Sequence, residues 1–131
     1  MEEQHIEAIK LANNLQLDIY DASRPVAGDR WRVQMIARIH IRVDSIWEAE
    51  DPGIPTKSTV KELIGDELVF ERKNTRHFID EGEKDAVFQS MRDSFRHHSL
   101  GYLSHPEFAR QFVLKAFQDK QKERKGQSSR K

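Results

Sequence analysis

A run of alternating apolar residues between Arg30 and Val43 constrains the fold of this chain more than any other feature. Every second position is apolar: Trp31, Val33, Met35, Ala37, Ile39, Ile41 and Val43. The positions between them are mostly basic: Arg32, Gln34, Ile36, Arg38, His40 and Arg42. Because side chains alternate between the two faces of a strand, this pattern predicts a long β-strand with one apolar and one basic face.

Three further segments have the character of strands. Residues 15–20 alternate cleanly, and Asn13-Asn14 suits a tight turn that joins them to residues 5–11. We favour a strand for residues 5–11, although the spacing of their isoleucines also fits a short helix. Residues 67–78 predict another strand, and the acidic, proline-containing residues 48–55 before it predict a loop.

Two helices are predicted in the C-terminal part of the chain. The first follows an N-cap pair formed by Asp80 and Glu83, carries apolar residues at helical spacing and stops at Gly101. The second begins at a capping box over residues 104–107, with Ser104 as the N-cap, and continues as an apolar stripe. The short connection between them predicts an antiparallel helical hairpin.

The order of these elements predicts an α+β fold. We expect an antiparallel β-meander of about four strands, with its apolar face covered by the C-terminal helical hairpin. One or two helical turns are expected over residues 59–65, capped by Thr59 and stopped by Gly65. We expect a single domain over residues 1–118. Residues 119–131 contain no apolar side chain, and they predict a disordered basic tail.

The composition limits the classes of function. The 22 lysines and arginines balance 22 aspartates and glutamates, so no net charge directs the protein to nucleic acid or to a membrane. The absence of cysteine excludes disulfides and thiolate zinc sites, and it fits a reducing compartment. No apolar stretch is long enough for a signal peptide or a membrane span, so we expect a cytoplasmic protein. The six histidines lack metal-ligand spacing, so neither a metal nor another cofactor is predicted.

The connection DASRPVAGDRW, residues 21–31, concentrates polar residues between two predicted strands. On a rigid sheet, such a loop can gather side chains around a small polar ligand, here Asp21, Ser23, Arg24, Asp29 and Arg30. Turn chemistry also explains this composition, because aspartate and serine bond nearby backbone groups and Gly28 supplies a positive φ. We favour a hairpin corner and keep a recognition role as the alternative.

Five arginines form the predicted ligand-binding set: Arg24, Arg30, Arg32, Arg38 and Arg42. Arginine forks in a row on one strand suit bidentate contacts with phosphate. The favoured alternative is a solvated face with cross-strand ion pairs to Asp18 or to the glutamates of residues 67–71. Aromatic residues are not interleaved with these arginines, which argues against a platform for single-stranded nucleic acid.

Two short elements resemble those of PilZ domains, the cyclic-di-GMP receptors. They are Asp21-Ala-Ser23 beside a strand and Arg38-Ile-His-Ile-Arg42. The arginine element lies downstream here, whereas in the family it comes first, and Val26 stands at the position of the motif's glycine. The resemblance therefore implies no residue assignments, and it adds only a nucleotide to the anions that the arginines could bind.

No catalytic arrangement is evident in the chain. No histidine adjoins Ser23, and no spacing places two carboxylates across a cleft. We therefore expect a small non-enzymatic binding module with a protein partner or a small anionic ligand. The alternative is an anion, nucleotide or nucleic-acid binder that uses the basic strand face.

Overall fold

In a computed structural model of the chain, residues 3–46 and 56–128 are described. They form an antiparallel sheet followed by C-terminal helices, so the predicted α+β fold is confirmed. The strands are β1 (Gln4–Lys10), β2 (Gln16–Asp21), β3 (Arg24–Ala27), β4 (Arg30–Arg42) and β5 (Glu67–Asp80). The helices are α1 (Lys57–Ile64), α2 (Lys84–Leu103) and α3 (Phe108–Ser128). Short 3₁₀ turns follow β4 at Val43–Ile46 and β5 at Glu81–Glu83.

Strand β4 organises the sheet, because it pairs with β2, β3 and β5. The segment 5–11, whose pattern fits both strand and helix, lies largely in β1 and pairs antiparallel with β2. In that pairing Ile9 lies opposite Leu17, and a register shift between His5 and Glu7 marks a bulge. The predicted turn before β2 is also present, since Asn14 has a φ of 71°.

The chain forms two compact units, and β4 and β5 contribute residues to both. The first unit comprises Met1–Ile39 and Phe70–His105, and the second comprises His40–Val69 and Pro106–Lys131. The alternation predicted for β4 is confirmed in each unit. Its buried side chains on the apolar face are Val33, Met35, Ala37 and Ile39 in the first unit and Ile41 in the second, and Ile36 on the opposite face is buried as well.

In the first unit, α2 lies over the apolar face of the sheet. Glu7 is opposite Ile19 and so shares the face of that buried residue. Its carboxylate oxygens lie 3.6 Å from guanidinium nitrogens of Arg92 and Arg96 on α2. The side of α2 that is buried carries Phe88, Met91, Phe95 and Leu103. Burial of these side chains is the main stabilising term that holds α2 in place.

Asn13 fixes the C-terminal end of α2 in the same unit. Its side-chain amide donates hydrogen bonds to the carbonyl of Leu103 at 2.8 Å and to the carbonyl of His105 at 3.0 Å. A helix leaves its last carbonyls without partners inside the helix, and these bonds supply some of the missing donors. The β1–β2 turn therefore also terminates α2.

The second unit contains α1, α3 and the adjoining ends of β4 and β5. Its buried apolar side chains include Ile41, Val43, Val60, Phe108, Val113 and Phe117. Helix α1 packs against α3 and against the 3₁₀ turn that follows β4. The predicted stop of α1 at Gly65 is confirmed by a φ of 90°. The predicted N-cap Thr59 is wrong: the cap is Thr56, whose hydroxyl accepts a hydrogen bond from the Thr59 amide at 3.3 Å.

Helix α2 does not stop at Gly101 as predicted. It continues through Leu103, and its C-cap is Ser104, whose amide donates to the carbonyl of Leu100 at 2.9 Å. A glycine inside a helix costs only about 1 kcal/mol relative to alanine, less than the burial of a leucine side chain such as Leu103 contributes. Ser104 is therefore not the N-cap of the next helix, which begins at Phe108.

Helix α3 extends to Ser128, so residues 119–128 are helical where the sequence predicts a disordered tail. Lysine, glutamine, glutamate and arginine dominate this stretch, and all four are good helix formers. Lys115 and Asp119, one helical turn apart, form a 3.6 Å ion pair where this stretch begins. Residues 129–131 and the predicted loop 48–55 lie outside the described residues. The single-domain boundary at 1–118 stays a prediction.

Candidate functional site

Arg38 lies at the centre of an ion-pair network on the polar face of β4, within the first unit. Its two terminal nitrogens donate to the carboxylate of Glu3 at 2.6 Å, and its Nε donates to Glu71 at 2.5 Å. The guanidinium also lies 4.9 Å from the ring centroid of Tyr20. The hydrogen bond from Arg38 holds the pKa of Glu3 below its usual value, and the bond to Glu3 raises the pKa of Arg38. All parts of the Arg38 fork therefore have protein partners.

The same face continues as a chain of polar contacts towards β1. Tyr20 meets His5 edge to face, with ring centroids 5.2 Å apart. The Nε2 atom of His5 lies 3.0 Å from the Oδ1 of Asp18. Asp18 is opposite Arg38 in the β2–β4 register, yet its partner is His5. The predicted alternative of cross-strand ion pairs thus describes the surroundings of Arg38, with Glu71 as a partner in place of Asp18.

In the second unit, the remaining basic residues of β4 also lie beside acids. His40 Nδ1 is 3.1 Å from a carboxylate oxygen of Glu67, and Arg42 is 3.8 Å from Asp44. The Lys61 ammonium also donates a hydrogen bond to Asp44 at 3.1 Å. This bond is the main cause of the lowered pKa of Asp44 and of the raised pKa of Lys61. Arg42, Lys57 and Lys61 thus form a charge cluster around Asp44.

The connection 21–31 is a β-hairpin whose polar side chains bind backbone. Asp21 Oδ1 accepts a hydrogen bond from the Ser23 amide at 2.9 Å, and Ser23 Oγ accepts one from the Gln34 amide at 3.0 Å. The chain then forms β3 and reverses at Gly28, which has a φ of 56°. The turn chemistry predicted for this stretch is therefore present. The short strand β3 within it was not predicted.

The hairpin places two of the predicted arginines side by side. Arg24 on β3 is directly opposite Arg32 on β4. Arg30 lies opposite Ala27, and its only ion pair among the described residues is a 3.8 Å contact with Asp29. The predicted set of five arginines is thus divided. Arg38 and Arg42 lie beside acids, whereas Arg24 and Arg32 lie beside each other.

A cleft that the sequence did not indicate lies between β5 and α2, entirely within the first unit. It has a volume of about 420 Å³, within the range of small-molecule sites. Strand β5 contributes Arg72, Lys73, Asn74, Thr75 and Arg76 to its lining. Helix α2 contributes Met91, Ser94, Phe95, His98 and Ser99. We call this site the β5–α2 cleft.

The described residues that line the β5–α2 cleft include cations and no acid. Arg72 lies over the ring of Phe70, 5.5 Å from its centroid. Within residues 3–46 and 56–128, neither Arg72 nor Arg76 has an ion pair, and both side chains are exposed. Lys73 has a weak contact with Glu71 at 3.8 Å, and that carboxylate also binds Arg38. The positive charge of the cleft is therefore mostly uncompensated by the described part of the chain.

Ser94 and His98 are one helical turn apart in the cleft and resemble a serine–base pair. The Oγ of Ser94 is 3.4 Å from Nδ1 of His98. The same Nδ1 lies 2.9 Å from the backbone carbonyl of Ser94. A carbonyl only accepts, so Nδ1 carries the proton in this contact and cannot take one from the serine. This geometry does not activate Ser94 as a nucleophile.

Only part of the cleft has a signal in the sequence. The run Arg72-Lys-Asn-Thr-Arg76 is a polar, basic segment inside a predicted strand. On the predicted helix, His98 continues the apolar stripe of Met91 and Phe95. Neither pattern states which strand lies beside the helix, so the two halves of the cleft come together only through the fold.

Residues 3–46 and 56–128 contain no group of three or more histidine, aspartate and glutamate side chains that could hold a metal ion. None of the helices there is long and apolar enough to cross a membrane. Comparison of the chain with protein-family models, with curated proteins and with solved structures finds no match.

Proposed function

We propose that this protein is a small, non-enzymatic, cytoplasmic binding module whose ligand is a small organic phosphate with an aromatic ring, such as a mononucleotide. The observation that carries the proposal is the β5–α2 cleft, where Arg72 and Arg76 have no acidic partner among the described residues. They lie beside an apolar floor formed by Met91 and Phe95. The cytoplasmic location rests on the absence of cysteine, which fits a reducing compartment.

The two sides of the cleft suit two parts of one ligand. Arg72 and Arg76 are four residues apart on β5, so they project from the same face of the strand, and their long side chains can reach one phosphate. Met91 and Phe95 are 5% and 6% exposed, and they offer apolar and aromatic surface to a ring. Hydroxyl groups of Ser94 and Ser99 add donors and acceptors along α2.

The choice of a binding module over an enzyme rests on the bond between His98 and the Ser94 carbonyl. This bond keeps the Nδ1 proton in place, so the serine has no base there. The choice of the cleft over the basic face of β4 rests on charge. Arg38 already donates to Glu3 and Glu71, and a ligand would have to displace both carboxylates to reach it.

Calorimetric titration with adenosine and guanosine monophosphates tests the proposal, with inorganic phosphate as the comparison. The double variant R72Q/R76Q is expected to lose at least about tenfold in affinity, because a hydrogen bond to a charged group contributes about 1.5–3 kcal/mol. The matched control is K120Q/R124Q, which removes two exposed charges from α3. Equal affinity for inorganic phosphate and for the nucleotides would contradict a role for the apolar floor. Unchanged affinity in R72Q/R76Q would refute the cleft as the site.

A further inference from the structure

The β3–β4 hairpin carries a pair of arginines whose arrangement is costly for the protein alone. Arg24 and Arg32 are direct cross-strand partners, so their Cβ atoms are roughly 5 Å apart on the same face of the sheet. Like charges directly opposite each other on two strands are destabilising. Within the described residues, no acid lies in ion-pair distance of either side chain, so this repulsion has no internal compensation.

Arg32 also has an unsatisfied hydrogen-bond donor. Its Nε is buried, and it has no hydrogen-bond partner among the described residues. Buried donors in native proteins nearly always have a partner, which can be a water or an ion. Leaving a buried charged donor without a partner is destabilising, because the group loses its hydration and gains no hydrogen bond in return. An anion with several oxygens would relieve both the repulsion between the two arginines and the missing acceptor of Arg32 Nε.

From this geometry we infer that Arg24 and Arg32 bind a phosphate group on the polar face of the hairpin. A rotation of the Arg32 side chain that exposes Nε lets it donate from Nε and one terminal nitrogen, the fork that matches two oxygens of one phosphate. Arg24 is exposed and donates to the remaining oxygens from the neighbouring strand. This site is separate from the β5–α2 cleft and does not rest on the function proposed for the cleft.

Hydrogen bonds fix the backbone that carries the two arginines. Ser23 Oγ holds the Gln34 amide, and the Ala22 amide donates to the Gln34 carbonyl at 3.0 Å. These bonds hold the residues directly before Arg24 against β4. The two guanidinium groups therefore approach a ligand from a rigid ribbon, which lowers the entropic cost of binding.

A spectrum that records arginine Nε–Hε groups tests the inference on the intact chain. Inorganic phosphate is titrated at constant ionic strength, with chloride as the balancing anion, and R32K identifies the Arg32 signal by its disappearance. We expect a saturable shift of the Arg32 Nε–Hε signal. In R24Q the apparent affinity falls by at least about tenfold, as the loss of about 1.4 kcal/mol requires.

Two control variants separate this site from other effects. R30Q removes a charge from the same hairpin, and R72Q/R76Q removes the charges of the cleft; both should leave the Arg32 shift unchanged. If the Arg32 shift is lost in R72Q/R76Q, the phosphate binds in the cleft, and the inference is overturned. A linear shift that chloride reproduces, or a shift that R24Q does not weaken, would overturn it as well. The backbone amide spectrum of R24Q verifies that the hairpin remains folded.

Discussion

The polar face of β4 and the β5–α2 cleft both concentrate arginine, yet their arginines lie in opposite electrostatic environments. On the β4 face, Arg38 is shared by Glu3 and Glu71. In the cleft, Arg72 and Arg76 are exposed and have no ion pair with the described residues. The number of cations on a strand therefore does not measure the charge that a ligand meets. That charge depends on which acids the neighbouring strands place beside each cation.

The largest effect is expected where the floor of the cleft is removed. Phe95 is 6% exposed and belongs to the packed side of α2. Phe95→Ala should lower the free energy of unfolding by about 3–5 kcal/mol, because it removes buried apolar surface and leaves a cavity. Urea denaturation followed by circular dichroism measures this change. The comparison is Tyr20→Ala on the β4 face, where the half-buried ring should cost about 1–2 kcal/mol. Equal costs would mean that the floor is not part of the core.

The second test compares one arginine from each region. Arg38→Met keeps an unbranched apolar side chain over Tyr20 and removes the charge between two carboxylates. The Arg38 side chain is only 21% exposed, so we expect a loss of about 1–2 kcal/mol in the free energy of unfolding. Arg76→Met in the cleft should change it by less than about 0.5 kcal/mol. A comparable loss in both variants would remove the distinction between the two regions.

Acid titration sharpens the same distinction. The pKa of Glu3 is lowered in the folded protein, chiefly by the hydrogen bond from Arg38. A lowered folded-state pKa contributes stability above the ordinary value near 4.5, and this contribution is lost as the pH falls through the folded-state pKa. Melting temperatures measured from neutral pH down to acid should therefore fall more steeply in the wild type than in Arg38→Met. Arg76→Met should keep the wild-type slope, and parallel curves for all three proteins would contradict the assignment.

The two regions also differ in how far the sequence predicts them. The period-two pattern of β4 is local, so it placed Arg38 on a polar face without knowledge of the other strands. The partners of Arg38 are harder to predict. Asp18 lies opposite Arg38 in the strand register, but its carboxylate contacts His5 instead. The cleft depends on contact between residues 72–76 and residues 91–99, and no local pattern states that contact. The cleft therefore depends on which distant segments lie side by side, whereas the strands and helices follow from patterns within single segments.

The smallest effect concerns the helix that forms one wall of the cleft. The sequence predicts that α2 ends at Gly101, but in the structure this exposed glycine is helical and has open space around its Cα. Gly101→Ala should therefore raise the free energy of unfolding by about 0.5–1 kcal/mol, because alanine loses less backbone entropy in a helix.

Gly28→Ala is the matched control, since this glycine also has open space but a φ of 56°. There the same substitution should lower the free energy of unfolding by about 1–2 kcal/mol, because an alanine in the left-handed region is strained. The difference in sign isolates backbone conformation from packing, as neither added methyl group meets a neighbour. If Gly101→Ala also destabilised the protein, Gly101 would have to adopt a left-handed stop conformation in solution. The wall of the cleft would then end before Leu103, and the bonds from Asn13 to the Leu103 and His105 carbonyls would no longer cap a helix.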